Sequence, residues 1–188
     1  MNRILLVILA CFMIVGCSNK KTDEIKPEPT QEIVEETQEK IDVVEEEKGL
    51  SAEESEYLDV LKSALVGYSD SMEKIHKNFA KAEEDPFMFI DDVWRAETKE
   101  FFWHISISHD ILKQLENDKL VPDGFDEIHS KVLESLSEMV LAGDIIFEGI
   151  DDSMNIKRIN EGALTMQDSM NTMNETNELL QEKIKEIN

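Results

Sequence analysis

The sequence predicts an all-α protein, an antiparallel up-down four-helix bundle that follows a disordered acidic spacer. Two observations lead to this fold class. From residue 51 onward, apolar residues recur at alternating spacings of three and four, which is the period of an amphipathic helix. In addition, only 7 glycines and 4 prolines occur in 188 residues, too few to supply the turns of a β-sandwich or β-barrel.

The first helix is predicted over about residues 52–84. Its start is indicated by Ser51-Ala52-Glu53-Glu54, the pattern of a capping box. Eight apolar positions then follow without an error in the spacing: Leu58, Leu61, Leu65, Tyr68, Met72, Ile75, Phe79 and Ala82. Asp85-Pro86 indicates the end of this helix and the start of the next, because proline is favoured at the first helical position.

Three further helices are predicted over about residues 86–117, 123–150 and 153–187, each with its own apolar stripe. Four helices of similar length with short connections favour the up-down arrangement. Within the last helix, we interpret Met166, Met170 and Met173 as core residues rather than as copper ligands. Asn177 occupies a position on the same stripe, and we expect it to be buried and to fix the register of the helices.

The N-terminus has the pattern of an export signal. One positive charge, at Arg3, precedes an apolar run from Ile4 to Val15 that is too short for a membrane span of about 20 residues. The run closes with Ile14-Val15-Gly16-Cys17, which resembles the lipobox of bacterial lipoproteins. The resemblance implies a signal peptide over residues 1–16 and a mature N-terminus at Cys17, whose thiol carries diacylglycerol. A plain secretory signal and an uncleaved anchor are the alternatives.

Residues 17–50 are predicted to be the lipidated N-terminus and an acidic linker rich in proline and glutamate. From residue 18 to residue 50 the chain has eleven acidic residues, five lysines and no aromatic residue. Such a composition buries too little apolar surface to offset the entropy of ordering, which favours a disordered spacer. Val34, Ile41 and Val44 lie at helical spacing, however, so a helix over about residues 31–48 is the alternative.

Charge and cysteine content exclude several classes of function. With 42 acidic and 19 basic residues the formal net charge is −23, which argues against nucleic acid as a partner. Both cysteines, Cys11 and Cys17, lie in the N-terminal segment, so residues 51–188 can form neither a disulfide nor a cysteine metal site. No glycine-rich phosphate loop or nucleophile motif is present, and we therefore expect neither an enzyme nor a bound cofactor.

Two clusters of adjacent large apolar residues are candidates for contact with a partner protein. In Phe87-Met88-Phe89 and Phe101-Phe102-Trp103, three neighbouring side chains cannot all face one core. Phe89, Phe102 and Trp103 are the positions that we select.

A transition-metal site would need ligands from separate helices. The spacing of the histidines does not suit one helix, because His104 and His109 are five residues apart. Glu97 and His104 facing His129 form the one combination that we retain as a weak candidate.

The sequence therefore favours a non-catalytic, acidic helical module that is lipid-anchored at Cys17 to the outer face of the cytoplasmic membrane. Its expected role is structural or in binding an unidentified protein at the cell envelope. Taken whole, it loosely resembles small helical lipoproteins of Gram-positive bacteria. The alternative function is a cell-surface bundle that binds cations or metal ions.

Overall fold

The computed structural model describes residues 49–187, which form four α-helices and one short 3-10 helix and contain no β-strand. The helices are α1 (Ala52–Glu84), the 3-10 helix (Pro86–Ile90), α2 (Asp92–Asn117), α3 (Asp126–Asp151) and α4 (Ile156–Ile187). They pack as an antiparallel four-helix bundle, which confirms the predicted fold class. The predicted signal peptide, Cys17 and the spacer up to residue 48 lie outside the described residues.

The start of α1 is the capping box that the sequence predicts. The backbone N–H of Glu54 donates to Ser51 Oγ at 3.1 Å, and the backbone N–H of Ser51 donates to the Glu54 carboxylate at 2.8 Å. These two bonds satisfy backbone donors that the first helical turn leaves without partners, so α1 begins at a fixed point.

The prediction of one continuous helix over residues 86–117 is wrong at its start. Asp85 and Asp91 act as successive N-caps: the Asp85 carboxylate accepts from Phe87 N at 3.0 Å, and the Asp91 carboxylate accepts from Trp94 N at 2.8 Å. A residue that caps the next helix has extended backbone angles, so the chain cannot pass through Asp91 as a helix. Pro86–Ile90 therefore form a separate 3-10 turn, and α2 begins six residues later than predicted.

The starts of α3 and α4 also lie three residues beyond the predicted positions, at Asp126 and Ile156. Residues with positive φ precede both helices: Gly124 (84°) before α3, and Ser153 (51°) and Met154 (60°) before α4. A left-handed residue cannot belong to a right-handed helix, which explains the delay.

The core runs the length of the bundle and consists largely of aliphatic and methionine side chains. Met166, Met170 and Met173 are buried in it, as predicted. Asn177, in contrast, is exposed, and Thr176 is buried in its place, with its hydroxyl donating to the backbone carbonyl of Thr172 at 2.7 Å. The prediction of a buried, register-setting Asn177 is therefore wrong.

The four helices do not contact each other equally. α3 and α4 share the most extensive interface, followed by α1 with α2 and α2 with α3. Between α1 and α4 there are few close backbone approaches, and two cavities open along their boundary. The side between α1 and α4 is thus the least closely packed of the four.

Candidate interaction surfaces

The structure separates the three predicted contact residues. Phe102 is buried against Phe147 and cannot meet a partner, so the prediction for this residue is corrected. Phe89 is partly buried, with its ring 5.3 Å from that of Trp94. Trp103 is 58 % exposed and points out of the bundle, its ring 5.2 Å from that of His104.

The difference between Phe102 and Trp103 comes from the rotation of α2. The buried positions of this helix are Trp94, Thr98, Phe102, Ile105, Ser108 and Leu112. Two of these are small polar residues, so the buried face cannot be found by following apolar residues alone. With Phe102 facing the core, the next residue is rotated by about 100° and faces solvent.

The three candidate metal ligands do not come together. Glu97 and His104 are exposed on the outer face of α2. His129 is buried on α3, where its Nδ1 lies 3.2 Å from the hydroxyl of Tyr57. Over residues 49–187, no group of three or more histidine, cysteine, aspartate or glutamate side chains has the arrangement of a metal site.

The core contains polar clusters that the sequence analysis did not find. Near the end of α1, the Trp94 indole N–H donates to the backbone carbonyl of Asn78 at 2.8 Å, and the side-chain Nδ2 of Asn78 donates to Thr98 Oγ1 at 3.0 Å. Halfway along the bundle, the hydroxyls of Ser135 and Ser169 each donate to the other residue's backbone carbonyl, at 2.8 and 2.7 Å. These pairs fix the register of α1 against α2 and of α3 against α4, because a slipped register would leave buried polar groups without partners.

Burial determines the protonation of the Tyr57–His129 pair. It lowers the pKa of His129 and raises the pKa of Tyr57, since both side chains lose hydration of their charged forms. The nearby acidic residues Glu116 and Asp126 oppose part of the effect on His129. Both groups are therefore neutral near pH 7, and their hydrogen bond is a structural link between α1 and α3.

One end of the bundle carries three exposed apolar side chains within a short stretch of the chain. Phe87, Ile90 and Val93 are 76, 65 and 65 % exposed, and all three lie within seven residues at the connection of α1 to α2. We call these three residues the distal patch, because they lie at the end of α1 opposite to Gly49, where the described chain begins. Phe87 and Ile90 are three residues apart in a 3-10 helix, so their side chains point to the same side.

The distal patch is held in place by its surroundings. The caps at Asp85 and Asp91 fix both ends of the 3-10 helix, and Phe89 anchors its inner side against Phe79 and Trp94. Arg95, two residues beyond the patch, forms an ion pair with Asp151 at the end of α3. Three exposed apolar side chains on such a fixed support differ from the single apolar residues that are scattered on most protein surfaces.

The second candidate surface is the boundary between α1 and α4. Its upper cavity, of about 600 Å³, is lined mainly by residues between Leu65 and Lys77 of α1 and between Met170 and Asn177 of α4. The lower one, of about 360 Å³, lies between Leu58–Ser69 of α1 and Leu180 and Ile184 of α4. We call this lower cavity the proximal groove, since it is the nearer of the two to Gly49.

Among residues 49–187, no helix is both long and apolar enough to cross a membrane. No protein-family model, curated protein or solved structure matches this chain, so the assignment of its surfaces depends on its own residues.

Proposed function

We propose that this protein is a lipid-anchored, extracytoplasmic and non-catalytic helical module that binds another protein at the cell envelope. Its anchor is diacylglycerol on Cys17, inserted in the outer face of the cytoplasmic membrane. Its binding surface is the distal patch. The observation that carries the proposal is the exposure of Phe87, Ile90 and Val93 on a fixed support.

The position of the patch suits a tethered binding module. α1 contains 33 residues, which at 1.5 Å per residue separate its two ends by about 50 Å. The spacer joins the bundle at the start of α1, and the patch lies beyond the end of this helix. The patch therefore lies far from the point of attachment, where a neighbouring protein can reach it.

The chemistry of the patch defines the partner. Phe87 and Ile90 are large apolar side chains of the kind that anchor protein interfaces when they enter a pocket. Asp85, Asp91 and Asp92 are exposed neighbours of these residues in the sequence, and the whole domain is acidic. The complementary surface is an apolar pocket with a basic rim, since like charges at the rim would be repelled. The cation-binding alternative is second to this proposal, because its candidate ligands lie apart.

The anchor is tested by metabolic labelling with an alkyne fatty acid. We expect the wild type to be labelled and Cys17→Ser to lose the label, because Cys17 supplies the thiol at the end of the apolar run. Cys11→Ser is the matched control and should keep the label, as Cys11 belongs to the discarded signal peptide. Label retained in Cys17→Ser would contradict the anchor.

The binding surface is tested by site-specific photocrosslinking in intact cells. A benzophenone side chain at position 87 or 90 should give a discrete crosslinked species with one partner protein. Position 111 is the control, because Ile111 is also an exposed apolar residue but lies far along α2 from the patch. No crosslink from the patch, or the same crosslinks from all three positions, would contradict the proposal.

A further inference from the structure

The upper cavity is a space between α1 and α4 that the side chains of the two helices do not fill. Its volume of about 600 Å³ lies within the range of about 300–1,000 Å³ that is typical of small-molecule sites. Closely packed cores contain few voids larger than a water molecule, so a cavity of this size is not ordinary packing. Several of its lining residues are exposed, so a ligand can enter from solvent.

Thioether side chains form a large part of the inner surface of the cavity. Met72 of α1 and Met170 and Met173 of α4 line it, together with Leu65 and Tyr68. Met170 and Met173 are buried and Met72 is half-buried, so sulfur is supplied from both walls. Methionine sulfur makes favourable contacts with aromatic rings, and its flexible side chain adapts to the shape of what it touches. The lining therefore favours an aromatic ligand over a saturated one of the same size.

The rim of the cavity offers hydrogen bonds and a balanced pair of charges. Glu73 and Lys77 both line the cavity and form an ion pair with each other. Ser69, Asn174 and Asn177 are exposed at the rim and supply uncharged donors and acceptors. A charged ligand would lose hydration in the cavity, and it would gain a partner only by breaking that ion pair. The rim therefore favours an uncharged ligand.

We propose that the upper cavity binds an uncharged aromatic molecule that carries a hydroxyl or carbonyl group. The aromatic ring lies against the sulfur atoms of Met72, Met170 and Met173, and the oxygen is hydrogen-bonded at the rim. This site is on a different surface from the distal patch, so the inference does not depend on the proposed function.

The test is methyl NMR of the full chain in lipid nanodiscs, with isotope-labelled methionine methyl groups and β-naphthol as the probe. An aromatic ring shifts the signals of methyl groups that lie against its face. Added β-naphthol should therefore shift the signals of Met72, Met170 and Met173 and should saturate. Met166 is the internal control, because it is buried in the core but does not line the cavity. Shifts that do not saturate, or that include Met166 equally, would overturn the proposal.

Two further probes define the class of ligand. Decahydro-β-naphthol keeps the two-ring skeleton and the hydroxyl but has no aromatic system, and β-naphthoate carries a negative charge. Calorimetric titrations, with empty nanodiscs as the blank, should show that β-naphthol binds at least roughly threefold more tightly than either. Equal affinity for the decahydro compound would mean that any apolar molecule fills the cavity. Equal affinity for β-naphthoate would mean that the rim does not exclude charge, and either result overturns the proposal.

The role of sulfur is tested by the combined variant Met72→Leu, Met170→Leu and Met173→Leu, since leucine keeps the apolar volume nearly constant. The ratio of the affinities for β-naphthol and decahydro-β-naphthol should fall by roughly threefold, because the sulfur–ring contacts are lost. Met166→Leu is the matched control and should leave this ratio unchanged. Met72→Leu alone, at a half-buried position, gives a smaller change in the same direction if the triple variant does not fold. An unchanged ratio in folded variants would refute the proposal.

A soft metal ion is the competing occupant. Thioethers and His76, which also lines the cavity, are ligand types that Cu⁺ accepts. A single ion is much smaller than this cavity, so we expect one equivalent of Ag⁺, used in place of Cu⁺, to leave bound β-naphthol undisturbed. Displacement of β-naphthol at an equimolar ratio would assign the cavity to a metal ion and overturn the proposal.

Discussion

The close approach of α3 and α4 predicts that Gly162→Ala destabilises the bundle. A Cβ atom at position 162 would lie 2.5 Å from Ile146 Cγ1, 2.8 Å from the Ala142 carbonyl oxygen and 2.9 Å from the Ile146 backbone nitrogen. The first of these neighbours could rotate away. The other two belong to the backbone of α3, so the added methyl group must push the two helices apart.

The expected loss in the free energy of unfolding is the difference between two effects. Forcing an extra carbon into a closely packed core costs about 1–3 kcal/mol, and the upper half applies when the neighbours are backbone atoms. Alanine is favoured over glycine within a helix by about 1 kcal/mol. The net loss in the free energy of unfolding is then about 1–2 kcal/mol, which lowers the Tm by roughly 3–8 °C for a domain of this size.

Gly67→Ala is the matched control, since it should change the free energy of unfolding in the opposite direction. The one atom near a Cβ at position 67 is Ser108 Oγ, at 3.3 Å. The helix-propensity gain should therefore dominate and raise the Tm by up to roughly 3 °C. Thermal unfolding followed by circular dichroism measures both variants. If Gly162→Ala were as stabilising as Gly67→Ala, the close packing of α3 on α4 would be refuted.

Three further predictions concern pH, a buried amide and salt. Burial lowers the folded-state pKa of His129, so the unfolded state binds more protons than the folded state. The free energy of unfolding should therefore fall as the pH decreases below about 6.5, and it should level off below the folded-state pKa. Urea titrations between pH 5 and 7 should show this slope reduced in His129→Gln; an equal slope in the variant and the wild type would be evidence against it. Asn78→Ala should cost about 1–3 kcal/mol in urea unfolding, because it removes the Nδ2 donor to the buried Thr98 hydroxyl. Asn177→Ala, at an exposed position, should change stability by less than about 0.5 kcal/mol. Residues 51–188 carry 31 acidic and 13 basic residues, so the folded domain repels itself. Raising sodium chloride from 0.01 to 0.1 M shortens the Debye length from about 30 to about 10 Å, which screens this repulsion and should raise the Tm. A lower Tm would show that attraction within ion pairs outweighs the repulsion between acidic residues.

Helix content and topology could be predicted because they depend on local patterns. The capping box at Ser51 and the three-four spacing of α1 are visible in consecutive residues, and both lead to the observed helix. The interruption of the helix at Asp91 could not be predicted, because aspartate occurs both at helix caps and on the solvent-exposed faces of helices. Only the extended backbone at Asp91, enforced by its bond to Trp94 N, separates the 3-10 helix from α2.

The rotation of the helices was harder to predict, because small polar residues share the buried faces with apolar ones. Thr98, Ser135 and Ser169 are fully buried, since each hydroxyl finds a partner inside the core. A residue of polar type can therefore contribute to the core. For the same reason Thr176, whose hydroxyl bonds within its own helix, is buried where the sequence suggested Asn177.

The candidate surfaces could be predicted only in part. The two aromatic clusters correctly indicated that some large side chains would be exposed, yet the exposed members are Phe87 and Trp103 rather than Phe89 and Phe102. The proximal groove has no signal in the sequence, because it depends on the distance between α1 and α4, which are far apart in the chain. Nothing local determines which side of a bundle is loosely packed.

The central claim, that the distal patch binds a partner protein, is tested most directly by the size of the complex extracted from membranes in mild detergent. Native electrophoresis of the wild type should show the protein in a discrete complex larger than the monomer. In the triple variant Phe87→Ser, Ile90→Ser and Val93→Ser, the protein should migrate as the monomer with its Tm nearly unchanged, because all three residues are exposed in the structure. A variant that folds normally and still migrates in the same complex would contradict the claim.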